Sequence, residues 1–395
     1  MNEIILNNRS IYVEDLTLDF DNNEICIVES DISSETYSFC AQILFNMTID
    51  KLIYLKDNSG KKYSFYECYI GKSNMKNDEI TIRIKFQAYI TDYFISDIKS
   101  YEINKMEVQL EYKKFDMADI EESLDKNISF NIGKMRYKIE LVYYGRYYKI
   151  ILQNNNKLTT EKFIHSFLLF YEFLILNLGY YLEIKKINIS NSNQSFEYLY
   201  PFSGKYSGKN NYNTHSCVLG KINNPNIKQI YKKWLEIRKN SHVIYDIYMN
   251  VFSVKYFIEI ALSTITNCME GYYKCIHKST LKKIIKDKNG KTKIKNKEFK
   301  DLMKEYLNSN EGKLIFSSKD RQTLKIYNKL TNHRNYFAHL DKERKRFHGD
   351  SNLYMLFKIK LLFRTFILKD IGMIIEIDNL KECVNDIEKY MKRRV

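Results

Sequence analysis

"VKYFIEIALSTITNCMEGYYKCIH", residues 254–277, decides where this chain turns helical. Ile258, Ala261, Leu262, Ile265, Met269, Tyr272 and Ile276 recur at the three- and four-residue spacing that gathers side chains on one helix face. Glu259, Ser263, Thr266 and Glu270 form an opposite, polar row. The stretch reads as an amphipathic helix with one face in a core, and its surroundings agree. Upstream, Ile227, Ile230, Tyr231, Trp234 and Leu235 keep the same spacing, and a second helix is expected over 242–252. Downstream, helices are expected over 352–371 and 377–393.

Towards the N-terminus the pattern changes. "NEICIVESDI" (23–32), "YSFCAQILFN" (37–46), "KYSFYECYIG" (62–71), "EITIRIKFQAYI" (79–90), "MEVQLEYKKF" (106–115) and "RYKIELVYYGRYYKIILQ" (136–153) are rich in Ile, Val, Tyr and Phe with partial alternation. They read as strands of an antiparallel sandwich or barrel. One helix interrupts them, opening at Thr160 with Glu161 in its first turn and ending near Gly179. It carries the most apolar run of the chain, "FIHSFLLFYEFLILNLGYYLEI" (163–184), in which His165 and Glu172 favour a buried helix over a membrane span. A strand-like "YYLEIKKINIS" follows, then a loop rich in Asn, Ser and Gly with Pro201 and Pro225 in or beside it. The expected organisation is α+β: a β-rich domain over 1–205, a linker over 206–225 and an all-α domain over 226–395.

A net charge of +15 suits a polyanion partner, although abundant Lys, Ile, Asn and Tyr also mark an AT-rich coding sequence. Seven scattered cysteines contain no C-x-x-C pair, so neither a zinc framework nor a disulfide scaffold is indicated. His215 and Cys217 alone are too few for a metal site, and no cofactor is expected. The segment Lys274–Lys300 holds 11 lysines against Asp287 and Glu298. It reads as a solvated, flexible connection whose Lys282, Lys283 and Lys286 are candidates for RNA phosphates. No basic segment followed by an apolar core opens the chain, and a cytoplasmic protein is expected.

"NHRNYFAHLDKE" (332–343) carries the candidate chemistry. Its helix is expected to start near "SSKD" (317–320). Asn328, Asn332, Asn335 and His339 lie on one face, an unusual composition for a solvated surface. Tyr327, Leu330, Arg334 and Phe337 form another row, in which Arg334 stands where an apolar residue is called for. Such an Arg pairs, reaches out along its stem, or serves a site. His339 suits proton transfer at a ribose 2′-OH or leaving oxygen, Arg334 suits a phosphate gaining charge, and Asn335 can orient the imidazole or touch the phosphate. Five residues turn His339 about 140° from Arg334 on an ideal helix. The two could converge on one phosphate through the long Arg side chain, a distortion of the helix, or the motif of a second protomer.

These residues resemble the ApeA-like branch of HEPN domains. From about 228 to 345, "WLEIRKNSHVIYDIYMNVF" looks like its opening helices, "STITNCMEGYYK" like its "ALEAYHR"-type helix and "KLTNHRNYFAHLDKE" like its "RNYLTHYD"-type motif. The N-terminal region is only broadly similar to the large domain that accompanies this branch. The resemblance implies a homodimeric helical bundle with a composite cleft, metal-independent endoribonuclease activity, and abortive-infection defence against phage. It implies Arg334 and His339 as the catalytic pair, Asn335 as the polar residue after the Arg, and Glu270 as the acidic residue of the earlier helix. Tyr336 and Phe337 are expected to pack. Asp341 stands where adenylylated members carry Tyr, so control of that kind is not expected. RNA, with tRNA among its classes, is the expected partner, and a phage-derived trigger is expected at the N-terminal domain. The alternative is a non-catalytic RNA-binding and dimerisation module with a β-rich adaptor.

Overall fold

The computed structural model describes the chain apart from residues 1, 7–8, 21, 32–33, 47–50, 72, 77–78, 87, 92–98, 112–126, 143–146, 180–181, 192–193, 200–218, 221–223, 254–257, 287–291, 319, 321–325, 340–349 and 393–395, and apart from some side chains beside them. It is α+β, with an antiparallel, β-rich N-terminal region and a helical C-terminal region. Two compact units emerge, one of Met1–Glu111, Gly133–Phe167 and Ile184–Gly204, the other of Tyr112–Ile132, Leu168–Glu183 and Lys205–Val395. The expected linker over 206–225 lies mostly outside the described residues, as do His215 and Cys217.

Strands β1 (Asn2–Leu6), β2 (Arg9–Val13), β3 (Asp15–Asp19) and β4 (Glu24–Glu29) precede helix α1 (Glu35–Asn46). After it come β5 (Leu52–Lys56), β6 (Lys62–Tyr66), β7 (Tyr69–Ile70), β8 (Asn74–Lys76), β9 (Glu79–Lys85) and β10 (Ala88–Thr91). Then β11 (Glu102–Glu111), β12 (Asn127–Ile132), β13 (Met135–Val142) and β14 (Tyr147–Thr159) lead to α2 (Thr160–Leu178), followed by β15 (Glu183–Ser190) and β16 (Ser195–Leu199). The first unit's larger sheet runs β13-β14-β11-β15-β16-β10-β6-β5-β1-β2, and the smaller runs β3-β4-β9-β7 with β8 on β9. Alternation decides which face is inside. Ile80, Ile82 and Ile84 of β9 are buried between more exposed residues, and Ile25, Ile27, Ile53 and Leu55 meet them in one core with α1.

Helix α1 is a correction, because "YSFCAQILFN" was expected as a strand. Ser34 caps it: its Oγ accepts the Tyr37 N–H at 2.9 Å and its carbonyl accepts the Ser38 N–H. Phe39, Cys40 and Ile43 then bury on one side. The aromatic composition suggested a strand, but the cap and the buried face outweigh that weak propensity.

In the second unit, α3 (Asn224–Asn240), α4 (His242–Ser253) and α5 (Ile258–Ile276) take the expected places. The part of α2 from Leu168 onward packs here. Trp234 Nε1 donates to the Leu169 carbonyl at 3.0 Å, and Tyr231 sits 5.2 and 5.5 Å from the Phe170 and Phe173 rings. Glu172, in the middle of the apolar run, accepts from Arg238 Nε at 2.9 Å, and Arg238 also holds Asp246. Among the described residues no helix is long and apolar enough to cross a membrane.

The lysine-dense segment is also corrected. A 3-10 turn (Lys278–Thr280) leads to a hairpin of β17 (Lys282–Lys286) and β18 (Thr292–Asn296), and α6 (Phe299–Asn308) begins soon after. Ile284 and Ile294 alternating with lysines on either side of Asn289-Gly290 are a hairpin signal, which the charge run obscured. Further helices among the described residues are α7 (Asn310–Ile315), α8 (Ile326–His339), α9 (Asp350–Asp370) and α10 (Ile377–Lys392). Helix α9 is buried along most of its length and is the bundle's inner helix. Its fully buried Lys358 is held by Asp320 at 2.9 Å and Glu388 at 3.2 Å.

Gly179, at φ +80°, ends α2 where the Arg364 guanidinium presses on the backbone; a Cβ there would stand 1.6 Å from Nη1. Gly372, at φ +88°, has open space around it. Gly372→Ala is expected to cost about 1 kcal/mol, the backbone penalty alone. Gly179→Ala is expected to cost roughly 2–4 kcal/mol, since overpacking adds to that penalty. Urea unfolding midpoints of the two variants check this, and equal losses would refute the close contact.

Candidate functional site

Three helices meet at Arg334. Helix α8 lays Ile326, Leu330 and His333 into the bundle, all buried, at spacings of four and three. The sequence placed Tyr327, Leu330, Arg334 and Phe337 on the apolar line. The inner line instead passes through His333, and Arg334 stands at its border with a side chain 30% exposed. His333 Nε2 donates to the Glu259 carbonyl at 3.0 Å, fixing α8 against the first turn of α5. Glu259 Oε1 in turn accepts from Asn352 Nδ2 of α9 at 3.1 Å.

The Arg334 guanidinium is held on two edges and one face. Nε donates to Asn267 Oδ1 at 2.8 Å, and Nη2 pairs with Glu270 Oε2 at 2.7 Å. Its carbon lies 5.1 Å from the centre of the Phe299 ring, at the start of α6. The other carboxylate oxygen of Glu270 accepts from Lys274 Nζ at 2.6 Å. Asn267, Glu270 and Lys274 are spaced three and four apart, so α5 presents them in one row. Glu270 is buried and stands between two cations, as a carboxylate out of water requires. Ser263 and Thr266 of the expected polar face are buried too, at 6% and 1% exposure. That row therefore faces protein.

Asn328, Asn332 and Asn335 are half-buried on α8. The helix continues to His339 without interruption. The side chains of His339, Tyr336 and Phe337 lie outside the described residues, as does Asp341. A continuous helix keeps His339 about 140° around the axis from Arg334. Of the candidate RNA contacts, Lys282 is exposed, Lys283 is ion-paired to Asp301, and the Lys286 side chain is outside the described residues. The structure brings Arg334 and Glu270 together and adds Asn267, Lys274 and Phe299. Asn267 and Lys274 were within reach of sequence reasoning, being one turn either side of Glu270. Phe299 was not, because it comes from another helix.

A second ionisable cluster sits at the far end of α5. His277 Nε2 donates to Asp370 Oδ2 at 2.9 Å, and the Tyr272 hydroxyl donates to the same oxygen at 2.9 Å. Hydrogen bonding to Asp370 lifts the His277 imidazole above its ordinary value against the opposing effect of burial. Beside it, the Tyr273 hydroxyl donates to Glu305 Oε2 at 2.6 Å, and Glu305 pairs with Lys297 at 2.5 Å.

Residues 263–374 match the family model described as Apea-like HEPN. The matched segment opens inside α5 and runs through α9, so it contains Glu270, Arg334 and His339, while α3 and α4 lie ahead of it. Searches of curated proteins and of solved structures return no match.

The His277–Asp370 pair makes stability depend on pH. Because the native pKa lies above the unfolded one, the contribution is complete below the unfolded value and fades as pH rises through the native one. Resistance to urea is expected to decline as pH rises above about 6.5, the ordinary imidazole value. His277→Gln is expected to abolish that decline; a profile unchanged in the variant would show that another group titrates.

Proposed function

We propose that this chain is an endoribonuclease of the abortive-infection kind, in which Arg334 and His339 cleave RNA without a metal and residues 1–205 regulate the helical residues 226–395. The observation that carries this reading is the setting of Arg334. Its guanidinium, carried on the helix that also bears His339, is fixed by Glu270 and Asn267 of α5, inside the segment matching the HEPN model. HEPN domains are commonly ribonucleases and usually act as dimers that bind RNA.

The chemistry suits these residue types. The ribose 2′-oxygen attacks the adjacent phosphorus while the bond to the 5′-oxygen breaks. One group takes the 2′-OH proton and another protonates the leaving oxygen, giving a 2′,3′-cyclic phosphate and a free 5′-hydroxyl. An imidazole titrating near neutrality serves either transfer, and a guanidinium takes up the charge that gathers on the phosphoryl oxygens. In this reading Glu270 orients the guanidinium, and Asn335 and Asn332 supply polar contacts around the phosphate. The offset between Arg334 and His339 calls for a homodimer, with Arg334 of one protomer opposite His339 of the other. The RNA class to test first is tRNA, and the trigger is a phage-derived molecule acting on the β-rich region.

One observation favours a second reading. Nε and Nη2 of Arg334 are both engaged inside the protein, as in an Arg that only fixes a helix. The chain would then be a non-catalytic RNA-binding and dimerisation module with a β-rich adaptor.

Cleavage of purified tRNA and total RNA in EDTA separates the two. The nuclease reading expects His339→Ala and Arg334→Ala to lose at least about 100-fold in rate, as loss of an acid–base or charge-stabilising group does. Glu270→Gln is expected to fall between them and the wild type. Equal cleavage by wild type and His339→Ala, or phage protection that survives both alanine variants, would remove the nuclease reading and leave the module.

A further inference from the structure

The lysine hairpin β17–β18 is a built element. At its base the Lys297 N–H donates to the Leu281 carbonyl at 2.7 Å. Lys283 pairs with Asp301, whose carboxylate also accepts the Glu298 N–H at 2.9 Å and so caps α6. Lys297 pairs with Glu305 and lies 5.8 Å from the Tyr273 ring. Two lysines thus anchor the hairpin to α5 and α6. Its other described lysines, Lys282, Lys293 and Lys295, are exposed, and all five residues of β18 face solvent.

Two features of this wing are unusual for a mere surface. The first is charge density. Residues 282–296 hold seven lysines against Asp287, a net charge of +6 in a chain whose net charge is +15. A coding bias spreads lysine along a chain; it does not concentrate it on one hairpin. The second is the directly opposed pair Ile284 and Ile294, 74% and 67% exposed, with Lys282 as a neighbour on the same face. Lysines that merely guard strand edges would stand alone, because an apolar pair invites the contacts they repel.

We infer that this hairpin is the wing that holds a double-helical RNA segment through the face carrying Lys282, Ile284 and Ile294, with Lys282 on a phosphate and the two isoleucines against the sugar edges of the shallow minor groove. Lys293 and Lys295, on the opposite face, add to the positive field that draws a polyanion. The partner follows from complementarity: the lysines match a phosphate backbone, and the wide, shallow groove of A-form RNA offers riboses to a small apolar face. The assignment of RNA rather than DNA rests on the proposed ribonuclease reading. It also divides the candidate contacts, with Lys283 anchoring the wing and Lys282 meeting the ligand.

The test measures binding of a labelled synthetic RNA stem-loop to full-length protein carrying His339→Ala, so that the probe stays intact, over a range of salt. Lys282→Ala is expected to flatten the log–log salt slope by about 0.9. Between about 50 and about 200 mM salt this variant is then expected to lose roughly 3- to 4-fold less affinity than its parent. Ile284→Ser/Ile294→Ser is expected to weaken binding several-fold at an unchanged slope. Variants that bind like the parent with the same slope overturn the inference, as does a parent that binds no RNA. Unchanged RNA binding with loss of a dimer in sedimentation would also overturn it and make the face an interface between copies. If the hairpin controls binding while the chain with His339 intact cuts no RNA, this inference stands and the nuclease reading falls.

Discussion

A carboxylate leaves water only when positive charge goes with it, and Glu270 shows what that demands. Lys274, one turn along α5, supplies one cation, and Arg334 brings the other from α8. The carboxylate therefore ties the two helices together at a single register, since a slip would leave a buried charge alone. Asn267 and Phe299 close the remaining sides of the guanidinium. The same device recurs in this unit at Glu172–Arg238–Asp246 and at Asp320–Lys358–Glu388. Apolar stripes bring these helices together; the ion pairs fix which residue meets which.

Much of this was legible where periodicity was long. The stripe of α5 from Ala261 to Tyr272 and the positions of α3, α9 and α10 follow from apolar spacing alone. Helix α1 was not legible, because a twelve-residue segment of Tyr, Phe, Cys and Ile satisfies strand composition, and only the Ser34 cap argues otherwise. The hairpin was hidden for the opposite reason, since lysines flanking Ile284 and Ile294 mimic a disordered charge run. At the site, Arg334 and Glu270 were singled out, but the apolar row misplaced Arg334, which stands at the border of an inner line through His333. His333 was not singled out, although its Nε2 bond to the Glu259 carbonyl fixes the motif helix. A helix–helix contact of that kind depends on the partner helix, which spacing within α8 cannot supply.

The setting of Arg334 also bears on how one residue can serve both fold and chemistry. A guanidinium presents five N–H groups in a fixed plane. Engaging Nε with Asn267 and Nη2 with Glu270 fixes that plane and leaves the side chain 30% exposed. An oriented cation needs little reorganisation when charge develops beside it, whereas a freely rotating one would spend part of its interaction on becoming ordered. Internal pairing and phosphate binding are therefore compatible in geometry. They compete in charge, because Glu270 offsets part of the field that a phosphate would feel. Lys274 on the other carboxylate oxygen reduces that competition by sharing the negative charge.

The chain's choice of surface residues explains why its polar rows were informative. Where a helix meets water it carries long charged side chains: α3 exposes Lys228, Lys232, Lys233, Glu236 and Lys239. The polar residues of α5 and α8 are different. Ser263 and Thr266 are buried, Glu270 is buried and paired, and Asn328, Asn332 and Asn335 are half-buried. Small neutral donors and acceptors suit places where partners are close and fixed, because they lose little rotamer entropy and still satisfy a hydrogen bond. In a chain that builds its solvated faces from Lys and Glu, a helical row of Ser, Thr and Asn marks a contact with protein or ligand. On α5 that contact is with the rest of the bundle. On α8 the asparagine row reaches the border of the bundle, where an incoming phosphate or a second copy of α8 would meet it.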